Sequence, residues 1–336
     1  MERKQAQSVS CGILLVLVQI LWTPAAATDC IAGSAGIYPC NKVNLLSHLD
    51  TSVFGTQGAN EIWGWTDPAS GTDYALLGLP NGVGFVDLSD PSNPVYLGSL
   101  PTQFVNSGWR DIKVFEDHAY IVSEGAFHGM QVFDLNRLTT VTTLPVTFSN
   151  DAHYNGFTNA HNIAINEDSG MAYAVGTNTC SGGLHAIDIN NKTAPVFAGC
   201  YGGDGYTHDA QCVTYTGPDP DYQGHEICVA LNEDTVTTVN MSNPQAPVLL
   251  SRKGYAGSGY THQGWFTEDQ TYFLVGDEDN ELTFGHNTRT YVWDFANLDN
   301  PILKGFIKVT QRRSITIYTF ITTLFIRPIT RAACEF

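Results

Sequence analysis

GVGFVDLSDPSNPVYLGSL, from Gly82 to Leu100, returns as GGLHAIDINNKTAPVFAGC from Gly182 to Cys200 and as TVTTVNMSNPQAPVLLSRK from Thr235 to Lys253. Each copy is an alternating apolar run, a polar turn and a second apolar run, the pattern of two half-buried strands joined as a hairpin. RTYVWDFANLDNPILKGF, from Arg289 to Phe306, fits the same template, and HGMQVFDLNRLTTVTTL, from His128 to Leu144, fits it without the proline-bearing turn. The first run of the five copies ends in turn on Asp87, Asp134, Asp188, Asn240 and Asp294. A side-chain oxygen there can accept a backbone N–H bond in an Asx-turn, so a structural role accounts for this residue before any ligand does.

A second phrase precedes each hairpin: EIWGWTDPASGTDYALLGL from Glu61, RDIKVFEDHAYIVSEG from Arg110, HNIAINEDSGMAYAVGTN from His161, a longer form from His208 through EICVALNED, and HQGWFTEDQTYFLVGDED from His262. Each reads as two strands around an acidic turn, so one repeat holds four strands. The repeated Asp or Asn recurs at intervals of 47, 54, 52 and 54 residues, which is the size of a propeller blade. A parallel β-helix needs shorter coils, and the 3.6-residue period of an α-solenoid is missing. The expectation is an all-β chain, a β-propeller of four-stranded blades with five repeats present and the ring incomplete.

The ends differ from this middle. Arg3 and Lys4, the apolar run Cys11–Trp22 and the small residues Ala25 to Ala27 have the layout of a cleavable secretory signal over residues 1–27, and the run is short of the about 20 residues that span a bilayer. From Ile307 the chain becomes IKVTQRRSITIYTFITTLFIRPITRAACEF, basic and without the glycine and Asp-Pro punctuation of the repeats. Residues 307–336 therefore read as an atypical tail, aberrant or a genuine extra segment, and residues 28–306 as the propeller domain. No segment after the signal reads as membrane-spanning.

Between residues 28 and 306 nine Lys and Arg face 31 Asp and Glu, a balance that excludes nucleic acid as a partner because phosphate binding needs cationic side chains. The six cysteines of this span fall into near neighbours, Cys30 with Cys40, Cys180 with Cys200 and Cys212 with Cys228. Disulfides clipped within single repeats fit an exported chain; zinc is the rival, but no C-x-x-C pair occurs. Asn191-Lys192-Thr193 and Asn240-Met241-Ser242 are N-glycosylation sequons in turn-like segments.

SGWRDIKVFEDHAYIVSE from Ser107, NAHNIAINEDSGMAYAVG from Asn159, YTHDAQCVTYTGPD from Tyr206 and YTHQGWFTEDQTYF from Tyr260, with the opening segment from Cys30 to Leu46, carry a resemblance over residues 28–306. The chain resembles the LVIVD-repeat, choice-of-anchor B family of secreted proteins. That resemblance implies an exported propeller-like domain, often displayed at the cell surface through a C-terminal anchor, and no assigned catalytic residue. Family members continue with further repeats where this sequence, after Phe306, departs from the pattern.

Aligning the first strand of each repeat puts Glu61, Arg110, His161, His208 and His262 at one position, with Asp111, Asn162, Asp209 and Gln263 beside them. Innermost strands line the central channel of a propeller, so these residues form the candidate ring. His161, His208 and His262 are candidate ligands for a divalent transition metal, against a structural role in bonding neighbouring blades and against the charge of Arg110. The acidic runs Asp277 to Glu281 and Asn232 to Asp234 are candidate calcium turns or plain solvated turns; neither has EF-hand spacing. Trp63, Trp65, Trp109 and Trp265 stand near ring positions and suit either sugar stacking or a blade core. No G-x-S-x-G, P-loop or H-E-x-x-H motif occurs. The leading expectation is a secreted or cell-surface module that binds an extracellular protein or glycan; the alternative is a metal-dependent extracellular hydrolase built on the histidines.

Overall fold

A computed structural model describes residues 27–308. Residues 1–26, nearly all of the expected secretory signal, and the tail beyond Lys308 lie outside the described residues. The chain divides into two units, residues 1–48 and 49–336. In the first, Ser34–Ala35 pairs with Tyr38–Pro39, Thr28 bridges Leu45, and a Cys30–Cys40 disulfide closes the turn.

Among the described residues the second unit is built of five sheets, the blades, whose own strands are antiparallel and run in sequence from an inner to an outer strand. Blade 1 is Glu61–Thr66, Asp73–Leu79, Gly82–Asp87 and Val95–Pro101. Blade 3 is Asn162–Asn166, Met171–Val175, Leu184–Asp188 and Val196–Tyr201. Blade 4 is Asp209–Thr214, Glu226–Leu231, Val236–Asn240 and Val248–Lys253. Blade 5 is Thr261–Phe266, Tyr272–Asp277, Arg289–Asp294 and Ile302–Lys308, so its outer strand continues two residues past the repeat boundary drawn at Phe306. The β-propeller blade expected from the repeats is the unit observed.

The turn that ends the third strand has one cause in all five copies. Asp87, Asp134, Asp188, Asn240 and Asp294 each accept a backbone N–H from the residue two positions on, at 2.7 to 3.0 Å. This Asx-turn redirects the chain where alternation stops.

Blade 2 is the exception. Arg110–Phe115, His118–Ser123 and Met130–Asp134 form its first three strands. After Asp134 the chain lacks the Pro-bearing turn and winds into a 3-10 helix, Leu135–Thr140, that buries Leu135 and Leu138. Val146–Thr147 then pairs in parallel with the outer strand of blade 1, covering that edge, before Ala152–Tyr154 completes blade 2. The second apolar run of HGMQVFDLNRLTTVTTL is therefore not the outer strand. Two leucines three apart pack better as a helical turn than on a pleat.

Packing between blades supplies the core. One cluster joins blades 1 and 2 around Phe85, Phe133 and Ile112, and the next joins blades 2 and 3 around Tyr120, Val132 and Ile163. A third joins blades 3 and 4 around Tyr173, Val175 and Val239, and a fourth joins blades 4 and 5 around Val229, Phe273 and Trp293. The other face of blade 1 is covered by Leu49 and Phe54. Fully burying an aromatic or aliphatic side chain of this size contributes about 1.5–3 kcal/mol. Each blade thus gains most where it meets a neighbour, and the inner strands follow one another in chain order. Among the described residues no core cluster joins blade 5 to blade 1.

All three expected disulfides are formed: Cys30–Cys40, Cys180–Cys200 and Cys212–Cys228. Cys212 and Cys228 are direct cross-strand partners inside blade 4. No helix among the described residues is long and apolar enough to cross a membrane.

Candidate functional site

The pairing register moves one residue of the candidate ring. Asn60, His161 and His208 each donate a backbone N–H into the partner strand just before the inner strand's first paired residue. Glu61, Asn162 and Asp209 are those first residues, paired with Gly78, Val175 and Leu231. Glu61 therefore aligns with Asp111, Asn162, Asp209 and Gln263, and Asn60 takes the place beside Arg110, His161, His208 and His262. The aligned neighbours Ile62, Ile112, Ile163, Ala210 and Gly264 confirm this. A one-residue shift on a strand exchanges its two faces, so the ring separates into two tiers of different chemistry.

The tier of Arg110 and the histidines lies at the N-terminal ends of the inner strands. Arg110 does not stand with the histidines. Its guanidinium is buried and turned into the junction with blade 1, donating to the Leu79 carbonyl at 3.1 Å, to Thr102 Oγ1 at 2.9 Å and to His128 Nε2 at 2.8 Å. Burial lowers its pKa to about 10, and burial together with the Arg110 charge holds His128 down to about 4.

The three histidine rings follow one another in tilted contact, with ring centroids 4.2 Å apart from His161 to His208 and 4.1 Å from His208 to His262. His208 donates Nδ1–H to the His262 carbonyl at 2.9 Å. His161 Nδ1 is engaged by Glu124 at 2.7 Å, and His262 Nε2 lies 3.4 Å from Glu278 Oε2. The grouping that brings ligand atoms within 4.8 Å of one another is His208, His262 and Glu278. Glu278 thus occupies the place expected of His161. Burial, then the neighbouring imidazoles, push His208 far below the usual histidine value, and burial followed by His161 pushes His262 down to about 4. Both rings are neutral at physiological pH, the form that ligates metals.

The second tier is acidic and carries its own cation. Lys113 Nζ lies 2.5 Å from Asp111 Oδ1 and 4.4 Å from the centre of the Trp63 ring. Burial opposes the charge on Lys113, but Asp111 and Glu61 outweigh it and hold its pKa above the ordinary lysine value. Burial, then Asp111, raises Glu61 to about 8; burial raises Asp209 to about 7 against the pull of Lys113. Asp111 also accepts the N–H of Ile163 in blade 3 at 2.8 Å. Comparable stitches cross the other junctions, from Asn60 Nδ2 to the Arg110 carbonyl at 2.7 Å, from Asn162 Nδ2 to the His208 carbonyl at 3.0 Å and from the Phe266 N–H to Gln211 Oε1 at 2.7 Å. Part of each tier is thus spent on holding blades together.

The acidic runs do not converge. Asp277 accepts from Tyr255 Oη and from the N–H groups of Gly259 and Tyr260, Glu278 faces His262, and Glu281 takes the Thr288 hydroxyl. Asn232 bonds Thr207 and the Asp204 carbonyl, while the Glu233 carbonyl bridges Thr261. Neither run forms a calcium-like oxygen cluster among the described residues. A separate group, Asp117, His118 and Asp134, is satisfied through Asp117 by His118, Lys192 and Asn136. Asn191 is exposed in its turn; Asn240 is half-buried, with its amide nitrogen engaged by His225. Trp65 is in the blade core, Trp63 is packed against it, and Trp109 and Trp265 are exposed.

Lys113 and Glu124 were not among the candidate residues, and Glu278 was one only as a member of the acidic run, not as a partner of the histidines. Lys113 had a signal, since a lone cation on an inner strand amid carboxylates needs a partner. The meeting of Glu278 with His262 had none, because it is made just past the far end of the second strand of blade 5.

The LVIVD repeat matches residues 70–102 and 170–202. Both matches run from the turn before the second strand to the end of the outer strand, in blades 1 and 3. No curated protein matches the sequence. Among solved structures, the chain is similar to a protein of unknown function from Desulfotomaculum acetoxidans, with 14% identity, 74% of this chain and 69% of that chain covered, and a TM-score of 0.49. It is also similar to a protein from Lactobacillus plantarum, with 15% identity, 77% and 70% coverage and a TM-score of 0.46. The β-propeller domain of Cps50 from Myceliophteria thermophila matches with 10% identity, 70% and 69% coverage and a TM-score of 0.45.

Proposed function

We propose that this protein is a secreted or cell-surface module, of the choice-of-anchor B kind, that binds an extracellular protein or glycan through the histidine end of its blades. One observation carries the reading: Phe104, Val105, Trp109 and Phe127 are 63, 50, 46 and 67% exposed, on two adjacent loops beside His161. The loops are fixed. The Glu124 N–H bonds the Trp109 carbonyl and the Ser107 N–H bonds the Pro80 carbonyl. The Val105 carbonyl sits over Gly125, where a Cβ would come within 2.5 Å. Trp109 also approaches the His161 ring at 6.3 Å. Aromatic side chains held rigidly at the surface are the residues that dominate interface energies, because they bury large area at little entropic cost. Three disulfides are consistent with the extracellular setting.

A glycan array and a pull-down from extracellular fluid, each run with the wild type and with Trp109→Ala/Phe127→Ala, test the proposal. The expected result is a partner whose affinity falls by about tenfold or more in the double variant at unchanged melting temperature. No partner in either assay, or one indifferent to the double variant, overturns it. The hydrolase alternative has one favourable observation, the His208–His262–Glu278 grouping, and that grouping supports metal binding more directly than any reaction.

A further inference from the structure

We infer that His208, His262 and Glu278 form a binding site for one divalent transition-metal ion of the zinc class. The inference is independent of the partner-binding reading, since it concerns the interior of the histidine end and not its exposed aromatic loops.

Three features of the site argue for an ion. First, spacing: ligand bonds of about 2.0–2.1 Å in a tetrahedral shell put donor atoms roughly 3.3–3.4 Å apart. His262 Nε2 and Glu278 Oε2 are already 3.4 Å apart, and the three donors lie within 4.8 Å of one another. Second, orientation: His208 gives its Nδ1 proton to the His262 carbonyl at 2.9 Å, which fixes the tautomer and leaves Nε2 with the lone pair. Metal-ligating histidines are held this way, by a carbonyl or carboxylate on the other ring nitrogen. Third, donor chemistry: two imidazoles and one carboxylate form a set that suits zinc and its neighbours better than calcium, and it leaves a position for water or a partner's donor group.

His161 is the neighbour that the site does not take. Glu124 engages its Nδ1 at 2.7 Å, and its ring meets that of His208 at 4.2 Å with a tilt of 55°. Arg110, whose charge would repel a cation, is turned into the junction with blade 1.

The test uses the full secreted chain, stripped with a chelator and titrated with Zn²⁺ by calorimetry and with Co²⁺ by visible absorption. One equivalent of Zn²⁺ is expected to bind and raise the melting temperature, because a ligand of the folded state stabilises it. The Co²⁺ form is expected to show the intense bands of a four- or five-coordinate ion. Glu278→Gln, at a partly accessible side chain that tolerates the isostere, is expected to weaken Zn²⁺ by about tenfold or more; His262→Ala abolishes binding, and His161→Ala keeps one equivalent. No stoichiometric metal overturns the inference. So does Zn²⁺ affinity unchanged in Glu278→Gln, or binding lost in His161→Ala but kept in Glu278→Gln. Metal stoichiometry and partner capture are separate readouts, so failure of one leaves the other standing.

Discussion

The histidine tier and the carboxylate tier lie one residue apart on the same inner strands, yet they handle buried polarity differently. In the carboxylate tier Lys113 pairs with Asp111 from within the chain, and burial raises Glu61 and Asp209 well above the ordinary carboxylate range. The histidine tier has no such internal partner. His208 and His262 stay neutral, and Glu278 faces them from the end of another strand. A buried cluster that carries its own counter-ion is a structural device. One that gathers neutral donors around a carboxylate has capacity left for a ligand.

Breaking the internal balance should have the largest effect. Lys113→Met leaves Asp111 without its ion partner, and removing one member of a buried pair costs about 3–5 kcal/mol. Denaturant unfolding at pH 7 should show a loss near the lower end of that range, since Lys113 keeps some solvent contact. An unchanged midpoint would place the neutralising charge elsewhere and dissolve the contrast between the tiers.

The second prediction sharpens the contrast through pH. Glu61 has a folded pKa of about 8 against an ordinary 4.5, raised by burial and by Asp111, with Lys113 lowering it and Asp209 adding to the rise. Between those values the unfolded chain has lost a proton that the folded protein keeps, so stability falls as pH rises from 4.5 to 8. Glu61→Gln removes this contribution. Its melting temperature should exceed that of the wild type by about 3 °C or more at pH 8, with the gap closing towards pH 4.5. Parallel curves for the two proteins would show that Glu61 ionises normally.

The smallest effect is expected at the edge of the histidine tier. His161 and Glu124 form a partly exposed pair, and such pairs contribute about 0–1 kcal/mol. His161→Ala should therefore lower stability by less than about 1 kcal/mol in the same denaturant experiment. A large loss would make His161 a blade-joining residue rather than a bystander to the site.

Much of the fold was legible. The five Asx-turns were visible as Asp87, Asp134, Asp188, Asn240 and Asp294, because the turn residue bonds its own neighbours and needs nothing distant. The cysteine pairs were legible for the same reason, each closing a short span of one repeat or of the N-terminal turn. The route of Val146–Thr147 onto blade 1 was not, since an edge accepts any short strand that reaches it. The candidate site was half legible. His208 and His262 could be read from their recurrence, but Glu61 was set one residue out of register, although Ile62, Ile112 and Ile163 carried the correct alignment.

By itself, then, the sequence determined the repeat, its four-strand content, its turns and the residue types offered to the inner strands. These are set by alternation and by bonds between near neighbours. Only the tertiary structure decided that Arg110 turns into a blade junction, that Lys113 closes the acidic tier and that Glu278 joins His208 and His262. The reason is physical: such contacts depend on which strands the packing of apolar faces brings side by side, and that packing is a property of the assembled blades, not of any one repeat.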